Sequence, residues 1–186
     1  MVLRATALLA CLALLASARV QGGGDARQAL RDAQLALLPA ALHALPGVEL
    51  APQGFVYPLS GRLSSGFGWR NVSVNGNRYH AGIDLAAPLG TPVRAARDGL
   101  VVRAGWWGTY GYAVALDHGD GSETRYAHLS AVHVSEGSFV RQGDVIGLVG
   151  STGASTGPHL HFEIRFGERA VDPLGYLEEP RETARR

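Results

Sequence analysis

Short apolar runs separated by glycine-rich turns fill the chain from residue 55 onward, and each run has the length of a β-strand. The strand candidates are Gly99–Gly105, Gly111–Asp117, Glu123–His128 and Asp144–Val149. Asp120-Gly121 lies between two of them and favours a tight hairpin turn. No segment of this region keeps a 3.6-residue period for long. The pattern predicts an all-β domain, folded as a compact antiparallel sandwich or barrel.

The N-terminal segment has a different pattern. Residues 1–18 combine one arginine, a short apolar run and the small residues Ala16-Ser17-Ala18, which together are typical of a secretory signal peptide. The apolar run is shorter than the roughly 20 residues that span a bilayer, so no transmembrane helix is expected in the mature chain. We therefore expect export to the periplasm, the cell envelope or the medium. A lipid anchor on Cys11 is the alternative interpretation of this segment.

Residues 19–54 are predicted to form a short helical arm and a linker. Strong helix formers predominate over residues 25–38, Asp25 can cap the start, and Pro39 and Pro46 limit the end. The arm is either a spacer or a segment that covers the active site until it is moved. Residues 55–178 then form the main domain, and residues 179–186 form a C-terminal tail.

Composition removes several classes of function. All 17 basic residues are arginine, and the absence of lysine excludes Schiff-base chemistry, a P-loop lysine and a biotinylated or lipoylated carrier lysine. The single cysteine excludes a disulfide framework and a redox pair of cysteines. The net charge of +1 is spread along the chain, so no nucleic-acid partner is expected. At 186 residues the chain accommodates one globular domain, and a monomer is favoured.

Candidate chemistry is concentrated in histidines, beginning with the segment 158–166. This segment alternates strictly, so His159, His161, Glu163 and Arg165 share one face of a predicted strand. His159 and His161 therefore project together, about 7 Å apart. This separation suits one metal ligand beside one group that acts on the substrate. The alternative is a pair of polar residues on a solvated face.

A second pair consists of His80 and Asp84. On a regular strand these residues would lie about 13 Å apart, but a bend at Gly82 would bring their side chains together, and glycine permits the backbone that such a bend needs. Two imidazoles and one carboxylate would leave a fourth coordination position open, as in catalytic zinc sites.

His128 ends a strand candidate and could meet His159 across this site. Histidine titrates near neutral pH, so either ring could accept a proton from water or deliver one to a leaving amine. His118 and His133 have no comparable neighbours and are predicted to be turn or surface residues.

Four segments carry a resemblance to a known family. The segments are His80-xxx-Asp84, Gly90–Gly99, Tyr126–Ser130 and Gly150–Glu163. From about Leu59 to Leu177 they closely resemble, in order and spacing, the M23 (lysostaphin/LytM-type) zinc metallopeptidases. The resemblance implies a two-sheet barrel-sandwich of the duplicated hybrid motif type, with a groove over the metal. It also implies a secreted endopeptidase that cuts peptide bonds in bacterial peptidoglycan.

The resemblance further implies a role for each of five residues. His80, Asp84 and His161 would bind Zn²⁺, and His128 and His159 would be catalytic. A metal-polarised water would attack the scissile carbonyl, and His128 or His159 would accept the proton of that water. One of the two imidazoles would then protonate the leaving amine.

The substrate is expected to be a peptidoglycan peptide. The sequence does not distinguish which bond is cleaved: one in a glycine bridge, one in a D-Ala-to-diaminopimelate crosslink, or one in a protein substrate outside the wall. A non-enzymatic regulator of cell-wall hydrolases is the main alternative, although such regulators typically lose some of these five residues. A carrier or structural module is disfavoured by the missing lysine.

Overall fold

The computed structural model describes residues 54–74 and 76–178, and these residues form β-strands joined by short loops. The strands are β1 (Phe55–Val56), β2 (Arg62–Ser65), β3 (Gly68–Val74), β4 (Asn77–His80), β5 (Ile83–Ala86), β6 (Pro92–Arg94), β7 (Gly99–Trp106), β8 (Tyr112–Asp117), β9 (Ser122–Val132), β10 (Phe139–Val140), β11 (Val145–Val149), β12 (His159–Phe166), β13 (Arg169–Val171) and β14 (Leu177–Glu178). Two 3₁₀ turns, Gly108–Tyr110 and Pro173–Gly175, are the helical elements of this part of the chain. None of the helical segments described is long and apolar enough to cross a membrane.

The predicted all-β class is confirmed. Ten strands form one antiparallel sheet, in the order β10-β7-β8-β9-β12-β5-β2, while β11 pairs with β9 and β6, and β13 pairs with β12. A closed barrel is not confirmed, because the hydrogen-bonded path through the described strands ends at β10 and β2. The predicted signal peptide, helical arm and C-terminal tail lie outside the described residues and stay predictions.

The four strand candidates correspond to β7, β8, β9 and β11. Strand β9 is longer than predicted, because it continues through His128 to Val132. His128 has a φ of 61°, the left-handed conformation that non-glycine residues rarely adopt. At this residue β9 changes partner, from β12 before it to β11 after it. The strand therefore bends at His128 instead of ending there.

The apolar face of β12 anchors this strand in the core. Leu160, Phe162 and Ile164 are fully buried, as the alternation predicts, and the ring of Phe162 packs against that of Tyr126 with centroids 5.3 Å apart. Burial of each such side chain stabilises the fold by about 1.5–3 kcal/mol relative to exposure. The fixed apolar face also fixes the opposite face of β12, which carries the candidate histidines.

Gly82 lies in the bend between β4 and β5, where the chain presses against β12. A Cβ atom on this residue would overlap the carbonyl oxygen of Phe162 and lie 2.9 Å from Cγ of Glu163. The predicted bend at Gly82 is therefore confirmed, and the contact with β12 explains why the residue is a glycine. Glycine is required because the backbone of the bend contacts the backbone of β12.

We expect Gly82→Ala to lower the free energy of unfolding by about 1–3 kcal/mol, since the added methyl group must displace β5 or β12. Urea-induced unfolding of the purified chain measures this change. Gly175→Ala is the matched control, because a Cβ there meets no atom within 4 Å, and its effect should stay within about 0.5 kcal/mol. Equal stabilities for the two variants would contradict the close packing of the bend.

Candidate metal centre

Three of the predicted site residues converge on one point. His80 ends β4, Asp84 lies in β5, and His161 lies in β12 directly opposite Asp84 in the antiparallel pairing. Nε2 of His80, Oδ1 of Asp84 and Nδ1 of His161 form a triangle with edges of 3.0, 2.9 and 2.9 Å. The structure thus brings together the two histidines and the carboxylate that the sequence singled out, and this cluster could hold a metal ion.

Hydrogen bonds on the far side of each ring leave lone pairs facing this point. Nδ1 of His80 lies 2.7 Å from the carbonyl oxygen of Gly66, and Nε2 of His161 lies 3.0 Å from Oε1 of Glu163. Both partners are oxygen acceptors, so each of these nitrogens donates its proton outward. In the neutral rings the inner nitrogens are then unprotonated, and they meet the Asp84 carboxylate.

The triangle fits a zinc ion in both chemistry and size. Two imidazole nitrogens and one carboxylate oxygen are common zinc ligands, and bonds of 2.0–2.1 Å in a tetrahedron separate ligand atoms by roughly 3.3 Å. The observed edges are close to this value. Three electron-rich atoms at this distance repel one another unless a cation or a shared proton lies between them.

The pKa shifts of Asp84 and His161 show that the cluster favours a positive charge next to the carboxylates. Burial alone would raise the pKa of Asp84, but hydrogen bonds from His161 and His80 hold it well below its usual range. Burial alone would lower the pKa of His161, but hydrogen bonds to Asp84 and Glu163 outweigh burial and raise it to about 9. Without a metal, the two carboxylates therefore favour a proton on His161.

Glu163 is a site residue whose role was not predicted from the sequence. It lies on the same strand face as His161 and is fully buried. Its Oε1 atom also accepts a hydrogen bond of 2.6 Å from the hydroxyl of Tyr110. Arg165 donates to its other oxygen over 2.7 Å. Burial would raise the pKa of Glu163, but these partners, His161 foremost, lower it to about 2. A buried carboxylate in this position orients the histidine and fixes its tautomer.

His128 and His159 lie together beside the triangle. Their ring centroids are 4.8 Å apart, and Nε2 of His159 is 3.8 Å from Oδ1 of Asp84. Nδ1 of His128 is 2.8 Å from the carbonyl oxygen of Thr152, and Nδ1 of His159 is 2.8 Å from that of Gly157. Both rings therefore donate through Nδ1 and, when neutral, keep an unprotonated Nε2.

The loop between β11 and β12 positions both of these histidines. Its Thr152 hydroxyl donates to the carbonyl oxygen of Leu129 over 2.7 Å and accepts from the backbone of Tyr112 over 3.0 Å. Gly111, with a φ of 66°, allows this close approach, because a Cβ atom there would overlap the backbone of Thr152. The loop is thereby tied to the start of β8 and to the bend in β9.

The environment of His128 keeps its ring neutral. Burial lowers its pKa to about 4, and the nearby His161 and His159 contribute in the same direction. A neutral imidazole at neutral pH can accept a proton, which is what general-base catalysis requires.

The other described histidines have structural or surface positions. His118 is half-buried and bridges the carbonyl oxygen of Asp98 and the hydroxyl of Thr124, at 2.7 and 2.9 Å. His133 is exposed. His118 occupies a turn, as predicted, where it braces two strands.

The five histidine and aspartate side chains line one open pocket of about 420 Å³. Tyr110 and Glu163 also line it, as do Arg70 and Tyr79 from the hairpin of β3 and β4. The pocket is therefore bordered by the sheet, by the loop that holds the two histidines and by this hairpin.

Comparison with known proteins gives a consistent result. The family model of peptidase family M23 matches residues 78–173. The DD-carboxypeptidase/endopeptidase Mpg of Neisseria meningitidis serogroup B is 54% identical over 114 residues, which are 61% of this chain and 26% of that protein. The peptidoglycan DD-endopeptidase ShyA of Vibrio cholerae is 41% identical over 122 residues, covering 63% of this chain and 28% of that protein.

A solved structure of a zinc-containing peptidase from Vibrio cholerae is also similar, with a TM-score of 0.62 and 36% sequence identity. The match covers 69% of this chain and 41% of that one. The chain thus spans about a quarter of the length of the two curated relatives.

We expect Thr152→Val to lower the free energy of unfolding by about 1–3 kcal/mol, because Leu129 and Tyr112 would each lose the hydroxyl as a hydrogen-bond partner. Thr152→Ser is the matched control, since it keeps the hydroxyl and should stay within about 1 kcal/mol of the parent protein. Urea unfolding curves compare the two. Coincident curves for the valine and serine variants would show that the hydroxyl does not hold the loop.

Proposed function

The chain belongs to peptidase family M23, and we propose that it is a zinc-dependent endopeptidase that hydrolyses peptide bonds of peptidoglycan. The observation that carries this proposal is the convergence of His80, Asp84 and His161 beside two histidines whose Nε2 atoms are unprotonated in the neutral rings. The peptidase class and the metal dependence agree with the relatives described above. Their names also support peptidoglycan as the substrate.

In this proposal Nε2 of His80, Oδ1 of Asp84 and Nδ1 of His161 hold the metal. Glu163 fixes the ring of His161 by accepting its Nε2 proton. A zinc ion held by three protein ligands supplies Lewis-acid chemistry: it polarises water and carbonyl groups and lowers the pKa of water toward about 7.

The two remaining histidines carry the proton transfers. His128 or His159 accepts a proton at Nε2 from the attacking water, and an imidazolium formed in this way can deliver its proton to the leaving amine nitrogen. The carbonyl oxygens of Thr152 and Gly157 hold both rings by Nδ1, so the rings do not need to reorient during the reaction. Such fixed geometry lowers the entropic cost of reaching the transition state.

The proposed substrate lies outside the cytoplasmic membrane, so the proposal also requires export. The predicted signal peptide at residues 1–18 fits this requirement.

Digestion of purified peptidoglycan sacculi tests the proposed function. We expect the zinc-loaded chain to release soluble peptide-bearing fragments, a chelator to stop the release, and added zinc to restore it. Mass spectrometry of the fragments identifies the bond that is cut. If a chain with bound zinc releases no fragments, the result points to coverage of the site by the predicted arm or to a different substrate. A chain that releases no fragments and binds no zinc favours the non-enzymatic regulator.

Two substitutions separate metal binding from proton transfer. We expect Asp84→Ala to lose stoichiometric zinc, whereas His159→Ala should keep its zinc and lose turnover by about 10²–10⁴-fold. Metal analysis and the sacculus assay measure the two effects. Asp144→Ala, which alters an exposed aspartate of a turn, is the control and should change neither. Stoichiometric zinc in Asp84→Ala would contradict the ligand set, and near-normal turnover of His159→Ala would move the role of base to His128.

A further inference from the structure

Arg70 differs from the other charged residues that line the metal pocket. It lies on β3, is half-buried, and lines the pocket together with His80, Asp84 and His161. Its Nε atom is buried and has no hydrogen-bond partner within residues 54–74 and 76–178. No ion pair of the described part of the chain includes it. A half-buried guanidinium that lacks a counter-ion is costly, so a ligand that accepts hydrogen bonds from it would bind with a gain.

The carboxylates of the pocket do not satisfy this guanidinium. Oδ1 of Asp84 lies within 3.0 Å of the inner nitrogens of His80 and His161, and Glu163 is bonded to His161, Tyr110 and Arg165. Both acids are thus committed to histidines and to other partners. The positive charge of Arg70 remains uncompensated on the pocket wall.

The hairpin that carries Arg70 is internally braced. Trp69 pairs with Tyr79 across the two strands, and their rings meet edge to face with centroids 5.5 Å apart. The carbonyl oxygen of Arg70 accepts a hydrogen bond of 3.4 Å from Nε of Arg78. The backbone that presents Arg70 to the pocket is therefore held before any ligand binds, which reduces the cost of binding.

We propose that Arg70 binds a carboxylate of the substrate next to the scissile bond, and this inference rests on the proposed function of the same pocket. The planar guanidinium fork matches the two oxygens of a carboxylate, and its two Nη atoms offer parallel donors. The preferred substrate is then a peptide with a free carboxylate at or beside the residue that leaves. An uncharged glycine bridge offers no such group along its chain and is disfavoured.

Equilibrium binding of two peptides tests this inference independently of turnover. One probe is a fluorescently labelled stem pentapeptide that ends in D-Ala-D-Ala with a free carboxylate, and the other is the same peptide with a C-terminal amide. Both are titrated against the zinc-loaded full chain that carries His159→Ala, a substitution that prevents hydrolysis in the proposed mechanism. The same titrations are made with Arg70→Gln, Arg70→Lys or Arg62→Gln added. Arg62 is an exposed arginine of β2 that does not line the pocket, and it serves as the matched control.

We expect the acid to bind about 10- to 100-fold more tightly than the amide, in line with a charge-assisted hydrogen-bonded pair. Arg70→Gln should abolish this preference, Arg70→Lys should restore part of it through its charge, and Arg62→Gln should leave it unchanged. Equal affinities for acid and amide, the same preference in Arg70→Gln, or no binding of the acid at millimolar concentration would each overturn the inference. If the acid-selective binding is found but the zinc-loaded chain with His159 intact cuts neither peptide nor sacculi, the result would refute the proposed peptidase alone.

Discussion

The register between β5 and β12 is the constraint on which the site depends. In this pairing Asp84 lies directly opposite His161, and residues directly opposite in antiparallel strands have Cβ atoms about 4.5–5.5 Å apart. A shift of one residue would turn His161 into the core and expose Phe162 on the polar face. Because Leu160, Phe162 and Ile164 are fully buried, the core enforces the register that the metal cluster needs. Stability and site geometry therefore come from the same strand.

His161 and Glu163, on the polar face of β12, are buried as well, and buried polar side chains need hydrogen-bond partners. Glu163 has three partners, and His80 and His161 each use their outer nitrogen for an oxygen acceptor. Leaving one such group unpaired would cost about 1–3 kcal/mol, and more if it is charged. The network therefore holds the metal-binding atoms in place through the penalty for moving any one of them.

The sequence predicted the parts of the site that depend on local spacing. Strict alternation in residues 158–166 placed His159 and His161 on one face, and the glycine between His80 and Asp84 indicated the bend. It did not predict that His161 and Glu163 are buried, because Tyr110, which bonds to Glu163, lies 53 residues away in the chain. The partner exchange of β9 at His128 was missed for a similar reason, since a left-handed histidine leaves no local signal. Glu163 had a usable signal, its position two residues after His161, but its role depends on Tyr110 and Arg165.

Two elements each carry residues of different proposed roles: β12 carries His159 and His161, and the hairpin of β3 and β4 carries Arg70 and His80. Two of the proposed ligands, Asp84 and His161, are fixed by the register of β5 and β12, whereas a loop holds His128 and His159 through backbone carbonyls. The unusual backbone of His128 costs on the order of 1 kcal/mol or more, and it persists because the surrounding strands and Thr152 determine it together. Arg70 lies on a separate two-stranded hairpin, outside the ten-stranded sheet. The same hairpin carries His80, which pairs with Gly68. A substitution of the Arg70 side chain leaves the register of Asp84 and His161 unchanged, whereas a change in the hairpin backbone would also move a proposed metal ligand.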